Sequence, residues 1–196
     1  MDKRIRAFYA IPPTDDIRWT LARNIENLQQ YTWSEKARWV TPGNIHITLR
    51  FLGDITQDKL TVINNHVQDA LSCFPAFNIQ LGQTRLFPNR IKPRVIAIMI
   101  MYNEQLQRLA DLMESCALAA GLIPAKYEFK GHITIGRCRS DFPDRIKLAL
   151  PLRTAVSEMR VNKIALYKSE LTPSGPNYTK LNELPMHTSA PLLFDQ

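Results

Sequence analysis

Apolar positions along the chain repeat with two periods, and the switches between them predict strands and helices. "RAFYAIP" (6–12) is a short apolar run closed by Pro12 and Pro13, as in a buried strand. Over 14–31, Ile17, Leu21, Ile25 and Leu28 recur at helical spacing. Thr14 is the expected N-cap, and Asp15 and Asp16 suit the positive end of that helix. "NIHITLRFLG" (44–53) alternates as a strand, and 56–74 predicts a second helix. A second round follows: a strand over 76–87, a basic turn-rich segment, a buried strand "RVIAIMI" over 94–100, and a helix over 103–121 between Asn103 as cap and Gly121 as stop. A strand over 126–138 comes next, and strands over 161–171 and 177–184, joined by "TPSGP", close the pattern.

The order strand, helix, His-strand, helix is thus followed by strand, helix, His-strand. "RAFYAIP" corresponds to "RVIAIMI", and 44–53 to 126–138. The pattern suggests a duplicated α+β unit of strand-helix-strand type, its two lobes packed together. No linker or low-complexity stretch separates the halves, so residues 1–196 are expected to form one bilobal domain.

The paired strands carry the chemistry. Successive side chains in a strand point to opposite faces. His46 and Thr48 therefore share one face of "HITL", with Ile45, Ile47 and Leu49 on the other. "HITI" repeats the arrangement: His132 and Thr134 on one face, Ile133 and Ile135 on the other. A single H-x-T means little, because threonine favours strands and a lone strand histidine is commonly just hydrogen-bonded. Two copies in equivalent surroundings are harder to dismiss: if the lobes are related by approximate two-fold symmetry, the two polar faces meet across a groove and two imidazoles stand opposite each other. With an ordinary pKa near 6.5, one ring can accept a proton while the other donates one. Displacement at phosphorus needs such a pair, and two threonine hydroxyls can hold the non-bridging oxygens. Strict alternation turns Phe51 and Arg137, each five residues after its histidine, away from that face. Phe51 then reads as core. Arg137 reads as a phosphate ligand, since a core arginine needs a partner.

Composition narrows the partners. Of 196 residues, 45% are hydrophobic, which fits a folded protein, and the formal net charge of +7 is compatible with a polyanion. Cys73, Cys116 and Cys138 are odd in number and form no C-x-x-C pair, which argues against a disulfide framework and a cysteine zinc site. No H-x-x-x-H occurs, and the remaining histidines, His66 and His187, read as surface residues, so no metal or other cofactor is expected. No serine or cysteine sits in a G-x-S-x-G elbow. The start has too short an apolar run for a secretory leader, and "VIAIMIMY" (95–102) falls far short of the ~20 residues of a membrane span. A cytoplasmic monomer without membrane contact is expected.

"HITLRFLGD" (46–54) with "HITIGR" (132–137), preceded by "RAFYAIP" and followed by "ALYKSEL", resembles the two-histidine (2H) phosphoesterase superfamily. Within it, the chain is most similar to the RNA 2′,3′-cyclic phosphodiesterases, also known as bacterial 2′-5′ RNA ligases. The resemblance covers nearly the whole chain. It implies a bilobal α+β fold with pseudo-two-fold symmetry and mainly antiparallel sheets facing a central groove, and a metal-independent site between the lobes that opens terminal 2′,3′-cyclic phosphates of RNA to 2′-phosphates, with reversible 2′-5′ ligation in some members. It implies catalysis by His46 and His132, phosphate binding by Thr48, Thr134 and Arg137, and base stacking by Phe51. That last role requires a kink or bulge after Leu49. One histidine must act as acid and the other as base; His46 as general acid and His132 as general base is the preferred order, and the sequence does not decide between the two. Gly131 stands where the family commonly has Pro, and Gly136 where Ala is frequent, which is expected to loosen the backbone near His132.

"RLFPNRIKPR" (85–94) offers a possible RNA track through Arg85, Arg90, Lys92 and Arg94, with Lys130 extending it. A solvated turn is the alternative. Two other functions remain open: a cyclic phosphodiesterase acting on a small nucleotide, such as an ADP-ribose cyclic phosphate or a 2′-5′ oligonucleotide, and a non-catalytic nucleotide-binding module. Intact H-x-T motifs in both halves speak against the second.

Overall fold

The three amphipathic helices among the described residues need an apolar surface to cover, and the strands provide it as a single face. The computed structural model describes residues 4–143, 158–173 and 175–187. Along the chain lie β1 (Arg4–Ile11), α1 (Asp15–Gln29), β2 (Ala37–Trp39), β3 (Ile47–Thr56), α2 (Gln57–Leu71), β4 (Phe77–Phe87), β5 (Val95–Ile100), α3 (Glu104–Ala119), β6 (His132–Cys138), β7 (Glu158–Val161), β8 (Lys163–Thr172) and β9 (Gly175–Pro185). The strands pair antiparallel in the order β7-β4-β5-β6-β3-β1-β8-β9, with β2 added beside β6.

This order carries the duplication. β3 and β6, the two histidine strands, meet at the centre through the single pair Ile47–Ile133. β1 flanks β3 as β5 flanks β6, and β8 lies outside β1 as β4 lies outside β5. The expected α+β fold with matched halves is therefore present, its sheets fused at the seam into one. The stretches 6–12 and 94–100 occupy corresponding places.

The helices bury Ile17, Leu21, Ile25 and Leu28 of α1, Leu60, Ile63, Val67 and Leu71 of α2, and Leu109, Met113 and Ala117 of α3. These pack in one cluster with Tyr9, Ile47, Leu49, Ile96, Ile98, Ile133 and Ile135 of the sheet. Phe8, Ala10, Val95, Ala97 and Ala165 are equally buried yet stand outside that cluster, on the opposite face. The sheet thus has a core face and a groove face.

Helix ends follow their caps. The Asn103 side chain accepts from the Leu106 N–H at 2.9 Å. Gly121, at φ +76°, ends α3 in a Schellman turn, with Leu122 N donating to Ala117 O at 3.0 Å. Thr14 occupies the N-cap of α1, but its hydroxyl joins the Asp16 carboxylate instead of capping a backbone N–H. Two strands escape sequence patterning, β2 and β7, because three and four residues are too few to show a period. The strand expected over 44–53 begins at Ile47, since Pro42–Asn44 forms a 3-10 turn. The strand expected over 126–138 begins at His132.

Candidate active site

His46 and His132 are oriented by the same device. Each Nδ1 faces the carbonyl oxygen of the residue two places earlier: Asn44 O at 2.8 Å for His46, Lys130 O at 2.6 Å for His132. A carbonyl only accepts, so Nδ1 carries the proton in both rings and Nε2 of the neutral ring carries the lone pair. At His46 the Thr48 hydroxyl lies 3.0 Å from Nε2 and donates to it while the ring is neutral. Among the described residues no such bond joins His132 to Thr134. Asn44 acts twice, since its side-chain amide also donates to Pro176 O at 2.9 Å and ties the β8–β9 hairpin to the approach to His46.

Each histidine strand slips by one residue at the same position. In β3 the ladder against β1 runs Thr48–Ala10, then Arg50–Tyr9, leaving Leu49 as an extra residue. In β6 the ladder against β5 runs Thr134–Ala97, then Gly136–Ile96, leaving Ile135 extra. Both bulges stand three residues after the histidine, and both extra residues point into the core. A bulge resets the alternation, so Phe51 pairs with Phe8 and Arg137 with Val95, two groove-facing residues. The alternation rule therefore fails for both side chains. Phe51 is 57% exposed beside the buried Phe8, their ring centroids 5.6 Å apart, so the core placement that parity favours is corrected. Arg137 is exposed on the same face as Thr134.

Paired residues share a face, so the ladder reads off the groove row by row. One half carries Thr48–Ala10–Ala165 and Phe51–Phe8–Tyr167. The other carries Thr134–Ala97–Arg85 and Arg137–Val95–Phe87. Alanines beside each threonine leave the floor open, and an aromatic ring stands in each half against its histidine. Phe87 stacks on His132 at 4.8 Å between centroids. Phe8 lies 4.9 Å and Tyr178 5.2 Å from His46, with Tyr167 at 6.1 Å.

That aromatic box takes the His46 ring out of water and pushes its pKa down to about 4; the charges of Arg137 and His132 lower it further, against the opposing pull of the Asn44 carbonyl. Burial likewise raises the Tyr167 phenol.

Arg50 holds the bulge in place from behind. It pairs with Glu114 of α3, donates to the Phe51 carbonyl, and donates to Ile123 O at 2.6 Å, linking the first half's histidine strand to the second half's helix. Glu114 also accepts from Ala125 N at 2.8 Å.

The two glycines that depart from the resemblance are packed close rather than loose. A β-carbon on Gly136 would stand 3.2 Å from Cε3 of Trp39 and 3.3 Å from Cδ1 of Ile96. One on Gly131 would meet Cδ2 of Leu106 at 2.9 Å.

The candidate RNA cations are spread more widely. Arg85 lies on the groove row of Thr134. Arg90 and Lys92 stand exposed in the β4–β5 connection, where Asn89 Oδ1 accepts from Ile91 N and Lys92 N at 3.0 and 2.9 Å. The Arg94 carbonyl accepts from Cys138 N at 2.9 Å, which fixes that connection beside the end of β6. Lys130 is exposed and contributes its carbonyl to His132. None of these side chains forms an ion pair among the described residues. His66 and His187 are both exposed.

The sequence reading misses Phe8, Tyr167 and Tyr178 as site residues. Phe8 reads as core because its run is apolar on both faces; Tyr167 lies in "ALYKSEL", where nothing in the local pattern singles it out, and the strand of Tyr178 has no motif of its own. Among the described residues no three His, Cys, Asp or Glu side chains gather as metal ligands, and no helix is long and apolar enough to cross a membrane.

The LigT like Phosphoesterase family matches this chain over residues 11–97, a stretch that holds the first of its two H-x-T motifs. A protein named RNA 2′,3′-cyclic phosphodiesterase from Methanothermobacter thermautotrophicus is 32% identical over 185 residues, covering 91% of this chain and 97% of the relative. One of the same name from Thermotoga maritima is 29% identical, covering 91% and 94%. The chain belongs to this family. Among solved structures, TT0787 of Thermus thermophilus superposes with a TM-score of 0.79 at 26% identity, over 94% of this chain and 100% of that one. E. coli LigT in its apo form shares the fold with a TM-score of 0.76 at 21% identity, over 96% and 99%.

Proposed function

We propose that this protein is an enzyme that opens the 2′,3′-cyclic phosphate at the end of an RNA strand to leave a 2′-phosphate. The observation that carries this reading is the matched pair of histidines, each fixed through Nδ1 by a carbonyl so that Nε2 is the nitrogen that exchanges protons, with the Thr48 hydroxyl on Nε2 of His46 turning to the phosphate when substrate binds. The name borne by the relatives agrees with it.

In the reaction, a water oxygen attacks phosphorus in line with the P–O3′ bond. One imidazole takes the water proton, the P–O3′ bond breaks, and the other imidazole protonates O3′. Thr48, Thr134 and Arg137 bear the charge that develops on the non-bridging oxygens. With the proton transfers and the charge assigned to these side chains, the mechanism calls on no metal. A pKa near 4 leaves His46 neutral in the free protein, which suits it to accept the proton, with His132 as the donor. This reverses the assignment preferred from sequence. A 5′-hydroxyl in place of water would give a 2′-5′ bond by the same steps.

Phe51 supplies an exposed ring for the terminal base. Arg85 lies nearest the groove, and Arg90, Lys92, Arg94 and Lys130 extend a positive surface for the preceding strand. The assignment is to the cytoplasm, where the separate cysteines stay reduced, and to a monomer, since both histidines come from one chain.

The test is turnover of an oligonucleotide ending in a 2′,3′-cyclic phosphate, in EDTA, by wild type, His46→Ala and His132→Ala. Each substitution is expected to lower kcat by about 10²-fold or more. Activity surviving both substitutions refutes the site, and loss of wild-type turnover in EDTA refutes the metal-free mechanism.

A further inference from the structure

β2 consists of Ala37, Arg38 and Trp39, set against Cys138, Arg137 and Gly136 of β6. Ala37 is buried in the core cluster, and Trp39 and Cys138 pack against it. Arg38 and Arg137, directly opposed between them, therefore stand together on the groove face. Both are exposed, and neither meets a carboxylate among the described residues. Like charges directly opposed across a ladder repel, so the arrangement is costly until anions arrive. Arg137 follows Thr134 on the groove face of β6, on the strand that carries His132.

Arg38 leads away from the reacting centre. A β-carbon on Gly175 would lie 3.7 Å from its Cδ and 3.8 Å from its Nη1, so the side chain runs along the tip of the β8–β9 hairpin. Asn44 ties this tip to the strand leading into His46. One reacting phosphate already has two imidazoles, two hydroxyls and Arg137 around it. The fork of Arg38 is left facing the groove one strand further out, at the seam between the halves.

We propose that Arg38 binds a second phosphate of the substrate, the one on the 5′ oxygen of the nucleoside whose 2′,3′-cyclic phosphate reacts. This rests on the function proposed above. A nucleoside with both its 2′ and 3′ oxygens in the ring has only its 5′ oxygen left to carry another phosphate. A forked guanidinium suits that group whether it is a diester of an RNA chain or a monoester of a free nucleotide.

Three substrates test it: adenosine 2′,3′-cyclic phosphate, the same compound with a 5′-phosphate, and the dinucleotide ApA ending in a 2′,3′-cyclic phosphate. The readout is the ratio of kcat/KM between each 5′-substituted substrate and the first, for wild type, Arg38→Gln and Arg38→Lys. Arg38→Gln is expected to lower that ratio by about 10- to 100-fold, mainly through KM, with Arg38→Lys in between. Collapse with the dinucleotide alone assigns the site to an RNA chain; collapse with the 5′-phosphorylated nucleotide alone assigns it to a small nucleotide. An unchanged ratio in Arg38→Gln overturns the inference while leaving the function standing. No wild-type turnover of any of the three overturns the function, and the inference with it.

Discussion

Acidifying the protein should unfold it partly through one histidine. His46 has its pKa pushed from 6.5 to about 4 by burial among Phe8, Tyr167 and Tyr178. In the unfolded chain the ring regains its ordinary value, so below neutrality the unfolded state binds the extra proton. The contribution to stability is complete above the unfolded pKa and is lost as the pH falls toward the folded one. Integrating between those two values, the loss from about pH 8 to about pH 5 is about 2 kcal/mol, a sizeable part of an ordinary domain's stability. Urea denaturation at both pH values measures it, provided the slope with denaturant stays constant. Other groups titrate as well, so the decisive quantity is a double difference. Wild type should lose about 2 kcal/mol more than His46→Gln over the same interval. Equal losses in the two proteins would refute the buried, neutral His46 from which the acid–base assignment is drawn.

Phe51→Ala separates a binding ring from a core ring: being over half exposed, Phe51 should cost under about 0.5 kcal/mol of stability on truncation. Loss of base stacking should raise KM for a cyclic-phosphate-ended oligonucleotide by roughly 5- to 150-fold. A stability loss above about 2 kcal/mol with an unchanged KM would return Phe51 to the core. Glu114→Ala leaves the Arg50 guanidinium largely buried without its partner and is expected to cost about 3 to 5 kcal/mol in urea denaturation. A cost under about 1 kcal/mol would show that the bulge before Phe51 needs no support from α3.

Local chemistry was enough to reveal the elements that repeat. Long periodic segments such as 103–121 declare their helix, and their caps lie a few residues away, as Asn103 and Gly121 do. The two H-x-T motifs were legible for the same reason. Alternation over four residues assigns His46 and Thr48 to one face, and the isoleucines on the other face hold the strand to the core. Alternation failed beyond Leu49 and Ile135, because a bulge is a property of two paired strands and is invisible in either alone. β2 was illegible because three residues carry no period, and it owes its conformation to β6.

Sequence by itself therefore determined the α+β class, the duplication, and the identity of the paired histidines and threonines. All of these follow from side-chain type and local periodicity. Only the tertiary structure decided which way Phe51 and Arg137 point, since each depends on a one-residue slip against β1 or β5. Only it buried His46 among rings, since Phe8 comes from β1 and Tyr167 and Tyr178 from the β8–β9 hairpin, all far from His46 in the chain. And only the pairing of β2 with β6 set Arg38 beside Arg137, because two like charges become neighbours through a ladder that neither stretch of sequence encodes alone.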